Sequence, residues 1–301
     1  MNSISPVCKL PITVVILTLN EEHNLPACLD SLAGFNDVHI LDCGSSDRTA
    51  ALAAERGVLV HANPFQGFGR QRNWAIDNIP TKHVWQLHLD ADERMPPELA
   101  RELAQVVAAD PPHGGFRVPS KLMFAGRWLK YAGQYPAYQV RLFHRSRLRF
   151  VDHGHGQRED TASSIGILHE PLIHYAFSKG IDNWFIKHVG YARREAEQAF
   201  RPNGSTSAAL VFSRDATVRR RALKHLARKL PGRYVLRLAY MLIWRRAILD
   251  GWAGVTYSHM VAAYEGMIDV YLRLLERGID LDTFAPPESA SRLDRSDRAG
   301  D

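Results

Sequence analysis

The chain has 301 residues, 46% apolar and 23% charged, a balance that excludes a disordered or fibrous protein and allows one large domain, or a domain plus an appendage, with a sizeable core. Its three cysteines, Cys8, Cys28 and Cys43, form neither a C-x-x-C pair nor a metal-type spacing, which argues against a disulfide framework or a zinc site and for a reducing, cytosolic setting. The net charge of +6 is concentrated, because residues 193–246 hold 14 Lys/Arg against 3 Asp/Glu and leave the rest net acidic. Such a block favours an anionic partner: a phospholipid surface, a nucleic acid or a phosphorylated substrate.

Met1 to Pro11 lack the basic start and the apolar stretch of about 7–15 residues that a secretory signal needs. No apolar run approaches the roughly 18 residues of a membrane span. The protein is therefore expected to stay inside the cell.

Ile12 to Leu19 is a β-branched, apolar run, too short for a helix and closed by Asn20-Glu21-Glu22, the pattern of a strand buried on both faces. Asn24 and Pro26 predict a cap and first turn for a helix through Leu29 and Leu32, and Val38 to Asp42 predicts a second strand. The cycle repeats with a helix over Ala50–Arg56 and a strand over Val58–His61. It repeats again with a helix over Arg70–Asn78, a strand over Val84–Leu89 and a helix opened by Pro96-Pro97. Four strand-then-helix units predict a Rossmann-like, doubly wound α/β sheet over residues 10–110, with ligands beyond the carboxyl ends of its strands, where Asn20, Asp42 and Asp90 fall.

From Gly114 to about His174 the runs Gly115–Val118, Tyr138–Phe143 and Leu148–Val151 predict a mixed sheet with long loops. From residue 181 to 285 apolar residues recur at helical spacing, interrupted by a loop or hinge at Pro202-Asn-Gly-Ser-Thr206. Residues 286–301 alternate Ser, Asp and Arg, as a disordered tail does.

Asp90 and Asp92 stand two apart at the end of an apolar strand, so an extended backbone would put both carboxylates on one face. Such a pair suits Mg²⁺ or Mn²⁺ shared with substrate phosphates, and equally a solvated acidic turn. Asp42 precedes the small polar loop Gly44-Ser-Ser-Asp-Arg-Thr49 and is placed either to hydrogen-bond a nucleotide or to cap the following helix, a role open to Asp47 as well.

Four segments, Ile12 to Glu22, Leu41 to Thr49, Gly69-Arg-Gln-Arg-Asn-Trp-Ala75 and Leu89-Asp-Ala-Asp-Glu93, in that order and spacing, resemble a family 2 glycosyltransferase of the GT-A fold. Phe124 to Lys130, Gln139-Val-Arg-Leu-Phe143 and His174 to Gly180 resemble its branch acting on lipopolysaccharide core, capsule and exopolysaccharide. The resemblance implies a GT-A catalytic domain over 10–180, with 10–110 binding the nucleotide and 111–180 the acceptor and base region, followed by a helical region over 181–285.

The resemblance further implies that Thr18, Asn20, Glu21 and Asp42 hold the nucleoside, that Arg70, Arg72 and Asn73 border the donor phosphates, and that Asp90 reaches the ribose or the metal. Asp92 would ligate the metal, Mg²⁺ or Mn²⁺, and His174 would complete its site. A satisfied core histidine is the other reading of His174. The acceptor hydroxyl needs a base; relatives place an acidic one in Asp152 to Asp160, where Glu159 is the first choice and Asp160 and His155 follow. His155-Gly156-Gln157 departs from the family's usual His-Glu pair here.

Residues 215–250 interleave Arg and Lys with Leu, Tyr and Trp, the composition of a helix in a membrane interface or of one packed on its own protein with a solvated basic face. The expected activity is inverting transfer from a nucleotide-sugar, a UDP-sugar by resemblance, to a lipid-linked glycan acceptor, with the protein cytoplasmic and peripheral on the inner membrane. A polyprenyl-phosphate sugar synthase is the alternative within the fold, although such enzymes usually carry C-terminal membrane spans. A non-catalytic nucleic-acid-binding protein would leave the strand-end carboxylates unexplained, since they repel phosphate, so no nucleic acid is expected as a partner.

Overall fold

The computed structural model describes residues 9–153, 156–200, 215, 219 and 232–284. They fall into two compact units divided between Lys179 and Gly180. The expected hinge at 202–206, the tail at 286–301, His155 and most of the basic run 216–231 lie outside the described residues.

In the first unit the chain alternates strand and helix: β1 (Thr13–Thr18), α1 (Leu25–Asp30), β2 (Val38–Asp42), α2 (Thr49–Glu55), β3 (Leu59–Ala62), α3 (Phe68–Asn78), β4 (Trp85–Asp90), a two-residue β5 (Glu93–Arg94) and α4 (Pro97–Ala109). These are the four predicted units with ends shifted by one or two residues. Mostly antiparallel pieces follow: β6 (Gly115–Phe124), β7 (Arg127–Trp128), β8 (Ala137–His144), β9 (Arg149–His153), β10 (Gly156–Asp160), β11 (Ile165–Ile167) and β12 (Leu172–His174).

One ten-stranded sheet runs β3-β2-β1-β4-β8-β6-β12-β5, with β7 and β11 also on β6, while β9 and β10 form a separate hairpin. The β3-β2-β1-β4 half is parallel, as strands joined by helical crossovers must be. Strand β8 is antiparallel to β4 and to β6, so the second half is mixed, as the sequence predicts.

Strand parity sorts the two layers. Val14, Ile16, Ile40, Leu87 and Leu89 pack with Leu25 and Cys28 of α1, Ala53 of α2, and Leu99 and Leu103 of α4. Val15 and Leu41, pointing the other way, pack with Ala75 and Ile79 beside α3. The sheet is thus wound on both faces. Each buried Val, Leu or Ile contributes roughly 1.5–3 kcal/mol; a one-residue slip of β4 would exchange Leu87 for His88 and Gln86 in the apolar layer.

Two local expectations differ from the structure. Asn24 stands at the N-cap of α1 but makes no capping bond: its backbone is already helical, at φ −96° and ψ −38°, and not extended as a cap requires, while its Nδ2 donates to Glu21 Oε2 at 2.8 Å. Asp90 and Asp92 do not share a face by extended geometry, because the chain turns at Ala91–Asp92 before β5.

The described part of the second unit is helical: α5 (Ile181–Phe200), α6 (Arg233–Ala239), a π-turn (Tyr240–Trp244), a 3₁₀ turn (Ala247–Asp250) and α7 (Gly251–Glu276). The small Ala192 and Ala196 of α5 let it lie against Ile268 of α7, flanked by Tyr264, Met267 and Tyr271. Glu265 of α7 pairs with the buried Arg233 of α6 at 2.6 Å. No described helix is long and apolar enough to cross a membrane.

Candidate active site

The carboxyl ends of β1 and β2 register side by side, with Thr18 opposite Asp42, so the loops that follow them meet. Thr18 Oγ1 donates to Asp42 Oδ1 at 2.8 Å, and the other Asp42 oxygen accepts the Gly44 and Ser45 amides at 2.9 and 2.7 Å. Gly44 lies at φ +97°, in the left-handed region where glycine is unstrained, and this brings its amide back onto Asp42. Burial opposes ionisation of Asp42, but the hydrogen bond from the Ser45 hydroxyl, together with those from the Ser45 amide, Thr18 and the Gly44 amide, prevails and holds its carboxyl below its ordinary range.

The loops are also stitched together. The Asn20 amide donates to Ser45 Oγ, its Oδ1 accepts the Ser46 amide, and the Glu21 amide donates to Thr49 Oγ1, all at 2.8 Å. Glu21 carries Lys179 on its carboxylate at 2.6 Å. Asp47 accepts the Thr49 and Glu22 amides, the helix-entry role foreseen for it. Thr18, Asn20, Glu21 and Asp42 therefore form one preorganised rim, with much of their hydrogen-bonding capacity already used inside it.

Helix α3 begins against the β9–β10 hairpin. Asp152 Oδ1 accepts the Gly69 amide at 2.7 Å and its Oδ2 pairs with Arg70 Nε at 3.1 Å, a carboxylate on the positive end of the helix. Asn73 clamps the Phe150 backbone, donating to its carbonyl at 2.7 Å and accepting from its amide at 2.9 Å, so this expected phosphate neighbour has its amide occupied in seating the hairpin. Arg70 is largely exposed, whereas Arg72 is buried.

Arg72 reaches under the hairpin to Asp90 at 3.4 Å and donates through Nε to Gln157 at 2.8 Å. Arg141 meets Asp90 at 2.5 Å and Glu93 at 2.7 Å. Opposite Phe116 and Arg117 stand Leu142 and Val140, so Arg141 is the extra residue of a β-bulge, which re-aims one side chain out of the strand's alternation. Burial lowers the Arg72 guanidinium to about 10, helped by repulsion from Arg141; it stays charged at neutral pH. Partial loss of solvent would raise the half-exposed Asp90 carboxyl, but Arg141 and Arg72 overcome that and hold it far below its usual range, while burial and the Asp90 charge push Glu93 up. The Nη1 atoms of Arg72 and Arg141 are buried without a hydrogen-bond partner among the described residues, donor capacity that an anion could use.

Asp92 turns to a different partner, with its Oδ2 3.3 Å from His174 Nε2. Strand β12 brings His174 there by pairing with Glu93. Burial by itself would depress the imidazole, but the Asp92 hydrogen bond and the neighbouring carboxylates raise it. Among the described residues no three His, Cys, Asp or Glu side chains converge tightly enough to hold a metal alone. One carboxylate and one imidazole nevertheless fit a hard cation that takes its remaining oxygens from phosphates and water.

A cleft of about 380 Å³ opens beside this network, lined by Phe68, Arg72, Asp90, Tyr138, Gln139, Val140, Gly156, Gln157 and Glu159. The two-residue period of β10 turns Gln157 and Glu159 into the cleft and leaves Asp160 exposed across from Arg149. Sequence reading passed over Arg141, Glu93 and Gln157. The available signal was a lone arginine inside the apolar strand Gln139 to Phe143, a buried charge that must find a carboxylate.

Residues 13–161 match the model of glycosyl transferase family 2. Lipopolysaccharide core biosynthesis glycosyltransferase LpsC of Rhizobium meliloti is 31% identical over 170 residues, which cover 55% of this chain and 58% of LpsC. An uncharacterized glycosyltransferase of Mycobacterium bovis is 40% identical over 96 residues, covering 31% of this chain and 43% of its own. The chain therefore spans less than two thirds of either relative. Among solved structures, a complex of Mycobacterium tuberculosis glucosyl-3-phosphoglycerate synthase has a TM-score of 0.34 at 20% identity, covering 46% of this chain and 57% of that one. The α/β sheet with its helical C-terminal part is the GT-A layout expected from the sequence motifs. Over residues 13–161, just under half of its length, the chain is similar to glycosyl transferase family 2.

Proposed function

We propose that the protein is a metal-dependent, inverting glycosyltransferase that moves a sugar from a nucleotide-sugar, a UDP-sugar first among candidates, to a lipid-linked or lipopolysaccharide-type acceptor. The observation that carries this reading is the convergence of Arg72, Asp90, Gln157 and Glu159, from three separate segments, on one cleft. Its place beyond the ends of parallel strands is where doubly wound sheets bind nucleotides. The name of LpsC supports lipopolysaccharide core assembly as the setting, and the basic segment 215–250 supports work at the cytosolic face of an inner membrane.

In this reading the rim of Thr18, Asn20, Glu21 and Asp42 receives the nucleoside. Arg70 and Arg72 border the diphosphate, and the buried Arg72 Nη1 finds an acceptor there. Asp90, fixed between two guanidinium groups, orients the donor ribose. Asp92 and His174 would hold a Mg²⁺ or Mn²⁺ ion, with the His174 imidazole in its neutral form. When bound, the ion supplies positive charge that stabilises the departing nucleoside diphosphate. Glu159, facing the same cleft, takes the proton of the attacking acceptor hydroxyl.

The test is turnover of a panel of UDP-, GDP- and dTDP-sugars by the whole chain with Mn²⁺, Mg²⁺ or chelator, wild type against Asp92→Ala. Turnover that needs the ion and falls by at least about 100-fold in the variant is expected. Turnover indifferent to both rejects the mechanism.

A further inference from the structure

We infer that the helical turn over residues 243–252 is a membrane anchor whose apolar side chains enter the headgroup region of an anionic phospholipid bilayer. The inference rests on the reading above for its purpose, delivery of the enzyme to a lipid-linked acceptor, and names the surface that does it.

The π-turn and 3₁₀ turn between α6 and α7 are closed from inside by Met241, Ala247, Ala253 and Gly254, all buried. A Cβ on Gly254 would collide with the Ala247 carbonyl, so the turn has no interior room for large side chains. The large ones point outward: Trp244 is 78% exposed, Ile243 76%, Ile248 and Leu249 62% each, and Trp252 54%. Single exposed apolar residues are ordinary. Five within ten residues, two of them tryptophan, mark a surface that leaves water when it works.

Charge decides the partner. Residues 216–252 contain ten Lys/Arg against one acidic residue, Asp250, and Arg245 and Arg246 stand inside the apolar turn. An anionic bilayer accepts both components at once, with aliphatic groups and indoles at the acyl boundary and guanidinium groups among phosphates. A second copy of this chain docking by the same face would set its arginines against their own copies. The absence of a spanning helix among the described residues makes this an interfacial attachment.

The test is flotation of the full chain with vesicles of phosphatidylcholine, alone or mixed in roughly equal parts with phosphatidylglycerol. Wild type is expected to float with the mixed vesicles. The exposed double variant Ile243→Ser/Trp244→Ser should lose roughly tenfold to a hundredfold in vesicle affinity. Arg246→Gln should lose about fivefold on the mixed vesicles and little on pure phosphatidylcholine. Both variants should keep wild-type hydrolysis of the donor sugar without vesicles. Unchanged flotation of the double variant overturns the anchor, as does failure of wild type to float or a wild-type dimer that the double variant dissolves. Flotation that depends on Ile243 and Trp244, by a chain that turns over no nucleotide-sugar, supports the anchor and removes the glycosyl-transfer reading; turnover without flotation does the reverse.

Discussion

Replacing Arg141 by Met tests the buried network at its centre. The Arg141 and Glu93 side chains are each 3% exposed and 2.7 Å apart, whereas the Asp90 side chain is 40% exposed, so solvent screens the second ion pair and the first dominates. Removing one partner of a buried pair costs about 3–5 kcal/mol, because the remaining charge is stranded. Two features bring the expectation to the lower end: Glu93 is already poised to accept a proton, and Arg72 still faces Asp90. About 3 kcal/mol at roughly 2–4 °C per kcal/mol places the melting midpoint about 6–12 °C below wild type. Thermal unfolding followed by circular dichroism should be run for Arg141→Met, Glu93→Gln and the double variant. The Arg141→Met loss should shrink by about 1–3 kcal/mol in the Glu93→Gln background. Equal losses in both backgrounds would show that the two side chains are not coupled and refute the reasoning.

Three further expectations follow from particular contacts. Glu159→Gln should lower kcat about 10²- to 10⁴-fold with the donor KM little changed, while Asp160→Asn, on the outer face of β10, should stay near wild type; the opposite ranking would transfer the base role. Gly69→Ala should destabilise by about 1–3 kcal/mol in urea unfolding, because a Cβ there would lie 2.8 Å from the Val151 carbonyl carbon and 2.9 Å from the Asp152 amide; a neutral outcome would mean that the hairpin yields easily. Burial opposes ionisation of Asp37, but hydrogen bonds from Thr13 Oγ1 and the Lys82 amide, with His39 beside it, hold its carboxyl below 3.8. A lowered folded pKa means stability that is present above that value and lost as pH falls through the folded one. Asp37→Asn should therefore flatten the fall of melting temperature below about pH 4, and an acid limb identical to wild type would contradict the assignment.

Much of the first unit was legible from residues alone, because its signals are local. The apolar runs of β1, β2 and β4 and the Pro and polar starts of their helices lie within a few neighbours of the atoms they control. Local signals can also compete with one another: Asn24 has a capping residue's identity, yet its side-chain amide donates to Glu21 three residues before it. The strand-end residues Asp42, Asp90 and Asp92 could be picked out for the same local reason, but their neighbours could not.

Periodicity carries no information about which distant carboxylate a buried arginine meets. Arg141 lies 48 positions from Glu93 and reaches it through a bulge that no pattern announces. Gln157 meets Arg72 across 85 positions, and His174 meets Asp92 through a three-residue strand too short to leave a signature. The outward-facing turn at 243–252 is a similar case, since composition identifies its apolar and basic residues but only packing shows that small ones fill the inside. The sequence by itself determined the strand and helix alternation, the winding of the sheet and the strand ends at which Asp42 and Asp90 stand, because backbone preference and side-chain burial act over a few residues. Tertiary structure alone decided the pairing of charges and the shape of the cleft, because those depend on chain segments brought together by the closed core.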